Sequence, residues 1–251
     1  MRELREGREV IRKPKILFIP LDVNLPYPNI VVTVFELRTI GKFPVKRLML
    51  DVGIDELFLR QGYTQYPQWF LDLYVSVAKD LARKYEENFF PLIPDYPIRW
   101  RGSETGANFM RGIELIKQFK KHDFASWLPI VQWSGDSIAS FLKSIEIYDP
   151  YLDGFERIAV SSGPILVDRS MAGPALMIAR KRHPSAWIHA LGLSLASKRT
   201  VDPLSFDSFD TSSMIPKRGN VEYAKLVDQK REFIFLKKIE RLREVYGPLV
   251  E

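Results

Sequence analysis

Eight short apolar runs recur along the chain, at 15–23, 30–36, 47–52, 89–94, 128–133, 157–161, 187–193 and 205–210. They are rich in Ile, Val, Leu and Phe and do not alternate with polar residues, which is the pattern of strands buried on both faces. Strands covered on both sides belong to parallel sheets whose crossovers carry helices, so the pattern commits the chain to an α/β architecture. The intervening stretches agree. Within 67–87 the apolar residues Phe70, Leu73, Tyr74, Val77, Ala78 and Leu81 recur at helical spacing, with Lys and Glu on the other side. The stretch 107–120 repeats this pattern, 136–147 follows Ser134 as an N-cap, and 170–182 ends before Pro184, which cannot continue a helix. A last helix at 221–246 closes at Gly247 and Pro248. Eight strands with helices between them predict a (β/α)8 TIM barrel, one domain over 1–251 with 1–14 as a flexible lead. A doubly wound open sheet is the alternative. The chain has no GxGxxG or Walker loop, which weakens the nucleotide-binding forms of that alternative.

Composition narrows the chemistry. The absence of cysteine excludes disulfides, thiol nucleophiles and thiolate zinc sites. The three histidines, His122, His183 and His189, lie at no metal-ligand spacing, so neither a metal nor a cofactor is expected. A net charge of +6 favours a polyanionic partner. No apolar run approaches the roughly 18 residues that span a bilayer, and the Arg/Glu-rich start has no apolar core. A cytoplasmic protein without membrane contact is expected.

In a barrel, reactive groups gather at the C-terminal ends of the strands. Here Asp51 ends the third run, Asp95 follows the fourth, Gln132 lies at the end of the fifth, and Asp210 ends the eighth. The sixth leads into Ser161, Ser162 and Gly163, and the seventh contains Leu191 and Gly192. Any one of these acids alone reads as a loop-anchoring turn. Buried carboxylates are costly, so four such polar ends together read as an acidic pocket with an amide. Two opposed carboxylates suit glycosidic bond chemistry, one attacking the anomeric carbon and the other handling the leaving-group proton. A further Asp and a Gln can read a purine edge, which offers both N–H donors and a carbonyl acceptor. In the last of these runs Asp207 competes with Asp210 as the attacking group, and the cations Lys217 and Arg218 follow a hydroxyl cluster. Trp133, beside Gln132, is a candidate stacking platform, whereas His189 reads as a satisfied core histidine.

The order of these motifs resembles the tRNA-guanine transglycosylase superfamily, including compact DNA-acting members that install 7-deazaguanines. Asp51-Val52-Gly53 is similar to the family's DSG, Asp95-Tyr96-Pro97 to its guanine-reading element, and Val131-Gln132-Trp133 to its VQG. The stretch 159–163 is similar to its glycine-containing base-contacting strand, Ala190-Leu191-Gly192-Leu193 to its LMG element, and Asp207-Ser208-Phe209-Asp210-Thr211-Ser212 to the DSFDSS of the DNA-acting branch. The resemblance covers about residues 48 to 220. It implies that Asp210 is the nucleophile on C1′ and Asp51 the general acid/base. Asp95, Gln132, Ser162, Gly163, Leu191 and Gly192 would hold the base, and Lys217 and Arg218 the backbone phosphates. It implies DNA or tRNA as partner, a 7-deazaguanine such as preQ0 as incoming base, and a homodimer or accessory protein. The chain departs from the family in lacking cysteines for its Cys3His zinc subdomain, in Val52 and in 54–56. It also has no room for the RNA-binding domain of the archaeal members. The expected activity is base exchange; hydrolysis of the same bond and non-catalytic binding of modified bases are the alternatives.

Overall fold

A computed structural model describes residues 14–21, 27–40, 44–96, 105–124, 126–133, 137–161, 169–193, 201–211 and 228–250. Each of the eight apolar runs contributes a parallel strand: β1 Lys15–Pro20, β2 Asn29–Thr33, β3 Arg47–Asp51, β4 Phe89–Pro91, β5 Ile130–Val131, β6 Arg157–Val160, β7 Trp187–Ala190 and β8 Ser208–Asp210. They hydrogen-bond in the order β4-β3-β2-β1-β8-β7-β6-β5. The fold is therefore α/β, on a curled parallel sheet of eight strands compatible with a TIM-like barrel. At the two ends of that order, an isolated parallel bridge joins Leu92 to Leu128. The Leu128 N–H donates to Pro91 O and the Ile93 N–H to Leu128 O, both at 2.8 Å.

The strands lack polar alternation because both faces are dry. On one face Phe18, Met49, Phe90, Leu92, Leu128, Ile130 and Ala159 form an inner cluster. On the other, Leu17, Ile19, Leu48, Leu50, Ile158, Ile188 and Phe209 join the larger core under the helices. Neighbours along β1 and β3 thus point to opposite cores, as a period of two requires. Full burial of each such side chain contributes roughly 1.5–3 kcal/mol.

The helices are α1 Leu37–Ile40, α2 Gln68–Tyr85, α3 Thr105–Phe119, α4 Ile138–Leu152, α5 Ala172–Arg182 and α6 Asp228–Tyr246. The cap of α4 is Ser137, which forms a reciprocal pair with Ser140. The expected cap, Ser134, lies outside the described residues, as do residues 1–13 and the first part of the expected 221–246 helix. Three elements carry no sequence signal of their own: α1, a six-residue π-helical turn at Asp55–Arg60, and a ninth strand, β9, at Leu249–Val250. β9 pairs with β1, with Lys15 opposite Leu249 and Ile16 opposite Val250. Asn29 anchors it, donating through Nδ2 to Val250 O at 2.9 Å while accepting from Arg47 at 3.1 Å. Among the described residues, no helix is long and apolar enough to cross a membrane.

Candidate active site

β3 delivers Asp51 at its last residue. The chain turns there because Asp51 Oδ1 accepts the Gly53 N–H at 3.1 Å. Gly53 sits at φ +78°, and a Cβ on it would come within 3.0 Å of the Phe35 ring and 3.1 Å of the Glu56 carboxylate. Only glycine fits this turn without strain. Burial pushes the Asp51 carboxyl up to about 6; the Gly53 amide opposes this, and the charge of Asp210 adds to it.

Asp95 follows β4 and is 9% exposed. Burial first, then the charge of Asp51, raises its carboxyl to about 7, against the hydrogen bond from Gln132. That bond runs from Gln132 Nε2 to Asp95 Oδ2 and couples the end of β5 to the segment after β4. Tyrosines hold the segment in place. The Tyr66 hydroxyl donates to Asp95 O at 2.8 Å, and the Tyr66 N–H donates to the Tyr96 hydroxyl at 3.2 Å. The Tyr74 hydroxyl lies 3.0 Å from Leu50 O and 2.7 Å from Leu92 O, joining the ends of β3 and β4. The backbone of Gln132 hydrogen-bonds to Tyr148, whose phenol burial holds well above its ordinary value.

Asp210 ends β8. Its Oδ1 accepts the Gly192 N–H at 2.7 Å and lies 3.2 Å from His189 Nε2. His189 is fully buried, with Nδ1 2.7 Å from Ser208 Oγ. Its ring is parallel to Trp187 at 6.0 Å and edge-on to Phe18 at 5.9 Å. Gly192 reaches Asp210 from a positive φ of 66°.

Asp51, Asp95, Gln132 and Asp210 thus meet at the C-terminal ends of β3, β4, β5 and β8. The charge of Asp210 acts on Asp51, and that of Asp51 on Asp95, so the three acids form one electrostatic cluster. Leu191 packs against the inner cluster beside it. Ser162, Gly163, Lys217 and Arg218 lie outside the described residues. Two carboxyls with values near 6 and 7 take up and release protons around neutrality, as general acid–base work requires. Among the described residues, no group of three or more His, Cys, Asp or Glu is arranged to hold a metal ion.

For Trp133, Asp207 and His189 the structure supplies the partners that the sequence does not give. Trp133 is no open platform: it is 2% exposed, packs on Phe141 at 4.7 Å and donates its indole N–H to Ser161 O at 3.1 Å. Asp207 is held away from the cluster, its Oδ2 accepting from the Ile188 N–H at 2.8 Å and pairing with Arg180. His189 is buried and satisfied as expected, yet one of its partners is Asp210. That contact carries no sequence signal, because it depends on β7 lying beside β8 with His189 opposite Ser208. No protein-family model matches the chain, and no curated protein matches it either.

Proposed function

We propose that the sheet closes as a (β/α)8 barrel and that the protein is a transglycosylase exchanging guanine in a polynucleotide for a 7-deazaguanine. One observation carries this: Asp51 and Asp210, from separate strands, share a site in which Asp51 is raised to about 6 by burial and, in part, by the charge of Asp210. Two carboxyls in different environments suit two different tasks at one glycosidic bond.

In this mechanism Asp210 attacks C1′ of the target nucleotide. The C1′–N9 bond breaks with its electron pair going to guanine, and Asp51 in its protonated form supplies the proton. A glycosyl ester on Asp210 remains. The incoming 7-deazaguanine then yields its N9 proton to the ionised Asp51, and N9 displaces the Asp210 carboxylate from C1′. Asp51 returns to its starting state, so protons balance over the cycle. Asp95 and Gln132 read the purine edge, the acid accepting N–H groups and the amide oxygen offering a further acceptor. Leu191 and Gly192 border the base site, and the resemblance assigns Ser162 and Gly163 to base contacts as well. Lys217 and Arg218 hold phosphates, consistent with the net charge of +6. The target base leaves its stack to enter the pocket. A cytoplasmic setting fits such a substrate, and the cysteine-free chain works without the family's zinc subdomain.

DNA is the first substrate to test, because 207–212 has the form found in the DNA-acting branch; tRNA is the second. The protein is incubated with guanine-labelled DNA or tRNA, with and without preQ0. Label release beyond one equivalent per enzyme only with added base, together with a denaturation-stable adduct absent in Asp210→Asn, is the expected result. Release that continues past one equivalent without added base indicates hydrolysis instead. No release and no adduct with either polymer leaves a binding protein and defeats the proposal.

A further inference from the structure

The geometry points to His189 as the positioning residue that decides which oxygen of Asp210 attacks. This rests on the transglycosylase reading of the site and names a group that reading does not use.

Both donors to Asp210 converge on the same oxygen. The Gly192 N–H and His189 Nε2 address Oδ1, at 2.7 and 3.2 Å, and no described residue bonds Oδ2. Two donors on one oxygen fix the rotation of the carboxylate about its terminal torsion, which is otherwise broad. Among the described residues Oδ2 has no donor, and it is the oxygen assigned to the bond with C1′. A nucleophile held at a set angle is most of what a near-attack geometry needs.

His189 is itself held from three sides. Ser208 Oγ lies 2.7 Å from Nδ1, Trp187 lies parallel to the ring, and Phe18 meets it edge-on. With the Ser208 hydroxyl donating to Nδ1, the imidazole is the Nε2–H tautomer and donates to Asp210. Strand geometry makes the arrangement possible. His189 and Ser208 are register partners on β7 and β8, and Asp210, two residues on, points to the same face as Ser208. A residue serving only to fill the interior needs no polar atom there, and a buried imidazole left unpaired is destabilising. Here both ring nitrogens are paired, one of them with the acid proposed to react.

The test compares His189→Phe, which keeps ring volume and removes the donor, with His189→Gln, whose amide N–H can still reach Asp210. Single-turnover formation of the Asp210 adduct should fall about 100-fold in His189→Phe. KM for the polynucleotide should move less than about 3-fold, because the loss lies in the chemical step. His189→Gln should recover at least about 10-fold of the rate, since it restores the hydrogen bond without the imidazole. Wild-type rates in His189→Phe, or equal losses in the two variants, overturn the positioning role. Ring-nitrogen NMR of the folded protein gives a readout independent of turnover. The Nε2–H tautomer is expected, with its Nε2–H signal displaced in Asp210→Ala. A wild type that exchanges no base but shows this signature defeats the transglycosylase reading alone and supports the orientation of Asp210. An Nδ1–H tautomer, or a spectrum unchanged in Asp210→Ala, overturns the orientation whatever the enzyme does. The NMR outcome also decides the matter if His189→Phe does not fold.

Discussion

Gly192 donates its backbone N–H to Asp210 Oδ1 over 2.7 Å, tying the turn after β7 to the last residue of β8. The turn holds this amide in place through a glycine at φ +66°. A Cβ at such a φ costs roughly 1–2 kcal/mol. Gly192→Ala is therefore expected to lower stability by about that amount and to slow adduct formation through displacement of its amide. Urea unfolding and single-turnover kinetics on the same preparation measure the two effects.

The acid–base role of Asp51 predicts a pH limb. Its carboxyl sits at about 6 and must be ionised to accept the N9 proton of the incoming base. The rate of the exchange half-reaction should rise with pH through about 6 and level above it. Burial is the main cause of the upward shift, and the charge of Glu56 is a small addition to it. Glu56→Gln should therefore move the midpoint of that limb to lower pH. A pH–rate profile for each protein, at saturating base, reads the change directly; a wild-type profile with no limb near 6 removes Asp51 from the role.

The raised carboxyl of Asp95 makes a demand on stability. Its folded-state value is about 7 against an ordinary 3.8, so the folded protein holds this proton where the unfolded chain has released it. Stability from this group is complete below about pH 4 and is lost as pH rises to 7. A displacement of that size corresponds to at most about 4 kcal/mol. Asp95→Asn keeps an acceptor for Gln132 and never ionises. It should melt higher than wild type at pH 8, show little difference at pH 4, and lose discrimination for guanine. A melting temperature lowered at both pH values would contradict the burial argument.

Asp207 offers the control for Asp210. Its carboxylate accepts the Ile188 N–H at 2.8 Å and pairs with Arg180, so its work is to join β7, β8 and α5. Asp207→Ala strands that amide and should destabilise by about 1–3 kcal/mol. Adduct formation by the folded protein should persist. Loss of the adduct in Asp207→Ala with retention in Asp210→Asn would reverse the assignment of the nucleophile.

The strands were legible one by one because burial on both faces removes polar residues from whole runs, as in Leu48, Met49 and Leu50, which point alternately to two dry cores. The long helices were legible for the complementary reason, a single apolar face as in Phe70, Leu71, Tyr74 and Ala78. Elements lying in no apolar run or amphipathic stretch were not. β9 is two residues long, and pairing with β1, not any periodicity, makes it a strand. The π-helical turn at Asp55–Arg60 likewise carries no repeat long enough to register.

For the site, the sequence alone determined which polar groups end apolar runs: Asp51, Asp95, Gln132 and Asp210 stand out because carboxylates and amides are rare beside core strands. What only the tertiary structure decided is which of these groups meet and what each one touches. The pairing of Gln132 with Asp95 spans 37 residues, and that of His189 with Asp210 spans 21. It is strand order and register that close both distances. Local pattern reports burial, because burial selects residue types position by position; partnership depends on the neighbouring strand and leaves no mark on the run that carries it.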